Sequence, residues 1–209
     1  MSASDKQYTY IVEHLDPELE AWSALEYKTI AKESKSAGSR FLLSSVPADF
    51  KLPSELEGVD GLEVEHKSVE ELFRDRKGEV CLLDPKAEKE LSPEDKDVFS
   101  VFLFGGILGD DPPRDRTSEL RVKGFAGRRL GPVQMTTDTA VRVTRMVVQE
   151  GYELEKIPYA DFPEIRVDEH ESTEMPFRYV KKADGTPVMP DGMIDLIKKD
   201  SEKGLGDLL

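Results

Sequence analysis

Two short stretches constrain the fold of this chain more than any others. They are Val80-Cys81-Leu82-Leu83 and the run from Val98 to Phe104, apolar but for Ser100. A strand with one wet face alternates apolar and polar residues, so a continuous apolar run of strand length predicts burial on both faces. Each run stops abruptly, the first at Asp84-Pro85 and the second at Gly105-Gly106. Further strands are expected at Tyr8 to Val12, Arg40 to Ser44, Leu62 to Glu65, Gly127 to Leu130 and Phe177 to Val180. Between them lie helical patterns. One opens at Asp16-Pro17 and repeats Leu15, Leu19, Trp22, Leu25 and Ile30 at close to helical spacing. A short one covers Val69 to Phe73, and another runs from Arg114 to Val122. Ser92-Pro93-Glu94-Asp95 carries a capping signature. The last of this series starts at Thr136-Thr137-Asp138, turns Ala140, Thr144, Val147 and Val148 inward, and stops at Gly151. Doubly buried strands alternating with helices predict an α/β fold, a parallel sheet flanked by helices on both faces.

The 209 residues, 38% of them hydrophobic, suffice for one sizeable domain with a tail. We expect an α/β domain over residues 1–180. A C-terminal tail, 181–209, follows with a short amphipathic helix from Met193 to Lys199, and it is expected to serve the substrate. No apolar run approaches the roughly 20 residues of a membrane span, the N-terminus lacks a signal-peptide pattern, and Cys81 is the single cysteine. These features predict a cytoplasmic protein without disulfides and without membrane contact. His14, His66 and His170 lack ligand spacing, so no metal site is expected. The 29 basic against 43 acidic residues give a net charge of −14. Such a balance favours a basic partner and disfavours direct nucleic-acid binding, although it also serves solubility alone.

In parallel sheets, ligands bind outside the carboxyl ends of the strands. Loops 83–86, 104–116 and 130–138 occupy that position here. In the second, Phe104-Gly105-Gly106-Ile107-Leu108-Gly109-Asp110-Asp111-Pro112-Pro113 places three glycines after a buried strand, where backbone can approach a ligand closely. Neither G-x-G-x-x-G nor a phosphate-cradling G-K-[ST] is present, so the common nucleotide signatures are excluded. In the third, Gly131-Pro132 forces a turn, and main-chain groups beside Leu130 and Met135 suit an adenine ring.

These segments together resemble one small branch of the SPOUT methyltransferases, found in archaea and eukaryotes. The resemblance is carried by Leu82-Leu83-Asp84-Pro85, by FGGILGDDPPRDR from Phe104 to Arg116, and by RRLGPVQMTTDTA from Arg128 to Ala140. Ile11-Val12-Glu13-His14, Trp22, Leu25-Glu26-Tyr27, the stretch from Glu174 to Tyr179 and that from Asp195 to Ser201 extend it over nearly the whole chain. It is weakest at 34–40 and 47–78. What it implies is a C-terminal deep trefoil knot formed by about residues 131–150, against the usual rule that chains are unknotted. It also implies S-adenosyl-L-methionine as cofactor. By position, Leu83, Gly105, Gly106, Gly109, Leu130, Gly131, Met135 and Thr136 are expected around it. The branch includes a fungal protein-arginine methyltransferase acting on a small-subunit ribosomal protein, which implies a substrate of that kind and a monomeric enzyme.

A protonated guanidinium, with a pKa above about 12, is a poor nucleophile. An arginine methyltransferase therefore needs carboxylates to clamp the group and take its proton. Asp110, Asp111, Asp115 and Glu174 are the candidates, Asp110 standing nearest the glycine loop in sequence. Asp115 equally fits a helix cap and Glu174 a pair with Arg178. Trp22 and Tyr27 either wall an arginine pocket or, as the helical stripe suggests for Trp22, belong to the core. Glu13, Asp16 and Glu26 could form an acidic mouth. Arg128-Arg129 either faces the cofactor carboxylate or covers the sheet. RNA methylation, and binding without catalysis, are the competing readings.

Overall fold

The computed structural model describes residues 6–14, 19–105, 117–166 and 172–206, with side chains as far as residue 200. Six strands, β1 (Thr9–Glu13), β2 (Arg40–Ser44), β3 (Leu62–Val64), β4 (Val80–Leu83), β5 (Val101–Phe104) and β6 (Ala126–Arg128), form one sheet. Their order is β3-β2-β1-β5-β4-β6 and every pairing is parallel. The strand order reverses between β1 and β5, so the carboxyl ends of β5, β4 and β6 open beside a topological switch point.

Burial on both faces explains the apolar runs. Tyr10, Val12, Phe41, Leu43, Cys81, Leu83, Phe102 and Phe104 point to one side. There they meet α1 (Ala21–Ser36) through Ala24, Tyr27, Ile30 and Ala31, and α4 (Thr137–Val148) through Val141 and Val147. The alternate residues Ile11, Leu42, Val80, Leu82, Val101 and Leu103 point to the other side. They are covered by Val69 of α2 (Val69–Leu72), Leu120 of α3 (Ser118–Arg121) and Phe125. Helices on both faces of a parallel sheet are thus what the strand pattern predicts.

The elements differ from expectation mainly at their ends. β5 starts at Val101, not Val98, because Ser92 and Asp95 close a capping box on a 3-10 turn over Pro93–Asp97. That turn leaves Val98 59% exposed. Helix α1 starts at Ala21 after Glu20, and the expected Asp16-Pro17 opening lies outside the described residues. Its buried stripe runs through Ser23, Ala24, Glu26, Tyr27, Ile30 and Ala31 rather than through Trp22 and Leu25, which are half-buried.

Helix α4 is fixed against α1 at its middle and beside its C-terminal end. Arg142 reaches Glu33 at 2.6 Å and Asp138 at 3.2 Å. At the C-terminal end Tyr10 and Ser39 donate to Gln149 Oε1 at 2.7 and 3.0 Å, and Gln149 Nε2 donates to the Ala37 carbonyl. Beyond α4, β7 (Tyr159–Asp161) pairs antiparallel with β10 (Arg178–Val180), and β8 (Glu164–Arg166) with β9 (Ser172–Glu174). Helix α5 (Met193–Gly206) closes the described chain, longer than the sequence pattern suggested. Its Met193 and Ile197 join Tyr179 and Phe177 in a third apolar cluster, flanked by Trp22 and Leu25. Among the described residues no helix is long and apolar enough to cross a membrane.

Candidate functional site

Loops 83–86 and 129–135, together with Phe104, Gly105 and Thr117, enclose a cavity of about 680 Å³ at the carboxyl ends of β4, β5 and β6. That volume lies within the range for small-molecule sites. Its walls are apolar where Leu83, Phe104, Leu130, Pro132, Val133, Met135 and Ala140 face it. The polar side chains of Lys86, Thr117, Arg129, Gln134 and Thr137 border it as well.

The floor is built on Asp84, which is 4% exposed. Arg121 holds it in a two-pronged pair, Nε to Oδ2 at 2.5 Å and Nη2 to Oδ1 at 2.7 Å. The Lys86 backbone N–H donates to the same carboxylate at 2.9 Å and Thr117 Oγ1 at 3.5 Å. This network ties the loop after β4 to the start of α3. Beside it Gly105 is closely packed, since a Cβ there would lie 2.9 Å from Thr117 Cγ2 and force that side chain to shift.

The opposite wall is the loop from Leu130 to Met135. Gly131 turns it at φ +88°, in the left-handed region glycine tolerates. The Arg178 backbone N–H donates to the Gln134 carbonyl at 2.8 Å, and Met135 forms a bridge with Arg178, so β10 braces the loop from outside. The Arg178 guanidinium lies 4.3 Å above the Tyr159 ring and pairs with Asp161 at 2.6 Å, which holds the Asp161 carboxyl below its usual range. Gln134 Nε2 is buried in this wall with no hydrogen-bond partner among the described residues. A buried unmet donor carries a cost of about 1–3 kcal/mol that a bound acceptor would relieve.

Of the residues expected around a cofactor, Leu83, Gly105, Leu130, Gly131 and Met135 line this one cavity. Thr136 sits just behind it, 1% exposed, donating to Asp138 at 2.7 Å. Gly106, Gly109, Asp110, Asp111 and Asp115 lie outside the described residues. Glu174 is exposed on β9 and is not part of the cavity wall, and Arg178, its suggested partner, pairs with Asp161 instead.

Several other expectations need correction. Tyr27 is 1% exposed and packs on Phe41, so it walls no open pocket. The acidic mouth does not form from Glu13 and Glu26. Glu13 is buried and accepts from Ser44, Ser45 and the Val69 backbone, and Glu26 is wholly enclosed, while Asp16 lies outside the described residues. Arg128 is taken up by Asp95 at 2.8 Å and by the Phe99 ring; Arg129 alone of the two borders the cavity. Ala140 packs against the core, as its place in the helix predicts, and also borders the cavity. Sequence reasoning missed Lys86, Thr117, Gln134 and Thr137, none of which has a spacing signature.

Residues 9–204 match the family described as "Protein arginine N-methyltransferase SFM1-like". Protein arginine N-methyltransferase SFM1 of Saccharomyces cerevisiae is 44% identical over 212 residues, covering 96% of this chain and 99% of that one. The crystal structure of the yeast arginine methyltransferase SFM1 complexed with SAM superposes with a TM-score of 0.84 at 43% identity, over 94% of this chain and 92% of that one. The crystal structure of a dual-specific Trm10 from Thermococcus kodakaraensis is similar in fold, with a TM-score of 0.52 at 22% identity over 72% and 96% of the two chains. The match to the yeast enzyme is nearly end to end, and the chain belongs to the SFM1-like protein arginine N-methyltransferase family.

Proposed function

We propose that this protein transfers the methyl group of S-adenosyl-L-methionine to an arginine side chain of a basic protein, a small-subunit ribosomal protein. The observation that carries the reading is the cavity at the switch point. It gathers five of the eight expected cofactor residues and adds an unmet donor, Gln134 Nε2. The fit is chemical as well as positional. Leu83, Leu130 and Met135 offer apolar walls to a purine. Gly105 and Gly131 let main chain come close, and Lys86 and Arg129 border the cavity as cations suited to a carboxylate.

When bound, the cofactor supplies a methyl group on a sulfonium that is already a good leaving group. The chain's own contribution is then alignment of the acceptor nitrogen and exclusion of water. Asp110, Asp111 and Asp115, which precede Thr117 in the chain, remain the proposed clamp and proton acceptor. Glu174 has weaker support, because it is exposed away from the cavity. The net charge of −14 supports a basic partner. The trefoil knot over 131–150, a monomeric state, a cytoplasmic location and a substrate-related tail over 181–209 are part of the same proposal. The packing of α5 beside Trp22 and Tyr179 supports the last.

Incubation with methyl-labelled S-adenosyl-L-methionine, separated ribosomal proteins and ribosomal RNA tests the reading. Label is expected on arginine of one ribosomal protein. Label confined to RNA, or cofactor binding without transfer to either, overturns it.

A further inference from the structure

Behind the cofactor wall lies a pair of acids that the transfer reaction does not use. Glu26 of α1 is 0% exposed and Asp138 of α4 is 2% exposed. Asp138 is well met. Its Oδ1 accepts from Thr136 Oγ1 at 2.7 Å and its Oδ2 from Arg142 Nη1 at 3.2 Å. Glu26 is not: neither oxygen receives a well-formed hydrogen bond among the described residues. Burial first, then the charge of Asp138, push its carboxyl well above the ordinary range; the Trp22 indole N–H and Thr137 backbone N–H pull the other way more weakly.

Among the described residues, the elements packed around the pair offer it no counter-charge. Helix α1 contributes Trp22, a neutral donor whose buried Nε1 leans on Glu26 without a well-formed hydrogen bond, and Glu33, which is spent on Arg142 and Arg145. Helix α4 contributes Arg142, already shared between Asp138 and Glu33. Strand β10 contributes Tyr179, whose buried hydroxyl likewise has no partner among the described residues, and Arg178, paired with Asp161. Helix α5 turns apolar Met193 and Ile197 this way; its Asp195 and Lys199 are exposed and Lys198 is half-buried. Among the described residues no cation is left over for Glu26. A buried charge without a partner is far more costly than the same group made neutral.

We infer that Glu26 carries a proton that it donates to Asp138, and that this neutral contact is a positioning device for the cofactor site. The device acts through α4. Asp138 holds Thr136, the residue that starts the helix, and Thr137, whose N–H leans on Glu26, also faces the cavity. Glu26 thus reaches the cofactor only through the start of α4. The inference rests on the cavity being the S-adenosyl-L-methionine site.

Glu26→Gln and Glu26→Met separate the parts of this claim. Glutamine keeps a donor for Asp138 and an acceptor for Thr137, whereas methionine fills the space with neither. At pH 7, an infrared difference spectrum of wild type minus E26Q should show the carbonyl band of a protonated carboxyl group. Its absence overturns the shared proton, whatever the cavity binds. Titration calorimetry with S-adenosyl-L-methionine should show E26M weakened about tenfold, equivalent to about 1.4 kcal/mol, and E26Q within about twofold of wild type. Equal losses in both variants would mean that a charge at Glu26 is required, and intact binding in E26M would mean that α4 needs no such brace; either overturns the positioning role. Wild-type protein that binds no S-adenosyl-L-methionine overturns the cofactor reading itself and the positioning role with it, while the infrared band still decides the proton.

Discussion

Of two buried acids, one borders the cavity and the other lies behind its wall, and they are treated in opposite ways. Asp84, in front, meets a two-pronged arginine, a backbone N–H and a threonine hydroxyl. Glu26, behind α4, meets another acid and, among the described residues, no cation. Both are removed from water, with exposures of 4% and 0%. Burial alone therefore does not set the charge state of an acid; the supply of donors around it does. The front wall is held by a charge pair and the back wall by a neutral contact. The two should respond differently to substitution and to pH.

Removing the front acid should have the largest effect. Asp84→Ala removes the carboxylate that Arg121 and the Lys86 N–H share and loosens the loop after β4 from α3. Broken buried pairs cost about 3–5 kcal/mol, and Arg121 is 34% exposed, so roughly 3 kcal/mol is expected in denaturant unfolding. A loss below about 1 kcal/mol would place Asp84 with surface pairs and dissolve the contrast with Glu26.

Next comes Gly105→Ala, which tests the front wall without touching its charges. The added Cβ meets Thr117 Cγ2 at 2.9 Å and the Thr117 main chain at 3.4 Å, so Thr117, which borders the cavity and donates to Asp84, must shift. S-adenosyl-L-methionine affinity by calorimetry should fall about tenfold, or about 1.4 kcal/mol, with circular dichroism unchanged. Unchanged affinity would show that Thr117 is not part of the wall that matters.

The contrast between the two acids also marks what the sequence could disclose. The sheet was legible because period and burial are local: Val80 to Leu83 needs cover on both faces wherever it sits. The loops at strand ends were legible too, through Gly105 and Gly131. Charge state was not. Glu26 reads as one more acid on an amphipathic helix, and only tertiary packing brings Asp138, 112 residues later in the chain, against it. Arg121 and Asp84 find each other the same way, as do Arg178 and Asp161. The start of β5 was misjudged because a local cap competes with the apolar pattern, as Ser92 and Asp95 do at Val98. Gln134 and Thr137 enter the cavity wall through backbone position, which no residue type announces.

The pH dependence of stability separates front from back more finely. The folded protein holds Glu26 protonated above the ordinary 4.5 of a glutamate, while the unfolded chain releases that proton there. The folded state then binds more protons, so raising the pH favours unfolding until the folded pKa is passed. Glu26→Gln removes this dependence. Its melting temperature, compared with wild type, should gain steadily from pH 5 upward. Parallel curves for the two proteins would show that Glu26 is ionised in the fold and that front and back walls are alike.

The smallest effect is expected at Asp161, whose pair with Arg178 offers an exposed counterpart to Asp84. The geometry is as good, with Arg178 Nε and Nη2 at 2.6 and 2.7 Å from the two carboxylate oxygens. Geometry is not what differs. The Asp161 side chain is 40% exposed, so water and salt screen the pair and solvate either partner left alone. Arg178 also keeps the Tyr159 ring beneath it after the carboxylate is gone. Asp161→Asn should cost less than about 1 kcal/mol. Because Asp161 is held below its usual range, what it contributes is present at neutral pH and is lost as the pH falls through its folded value. The difference between wild type and D161N in urea unfolding should therefore vanish in acid. A loss at pH 7 as large as that of Asp84→Ala would mean that bidentate geometry, rather than burial, sets the strength of the front wall.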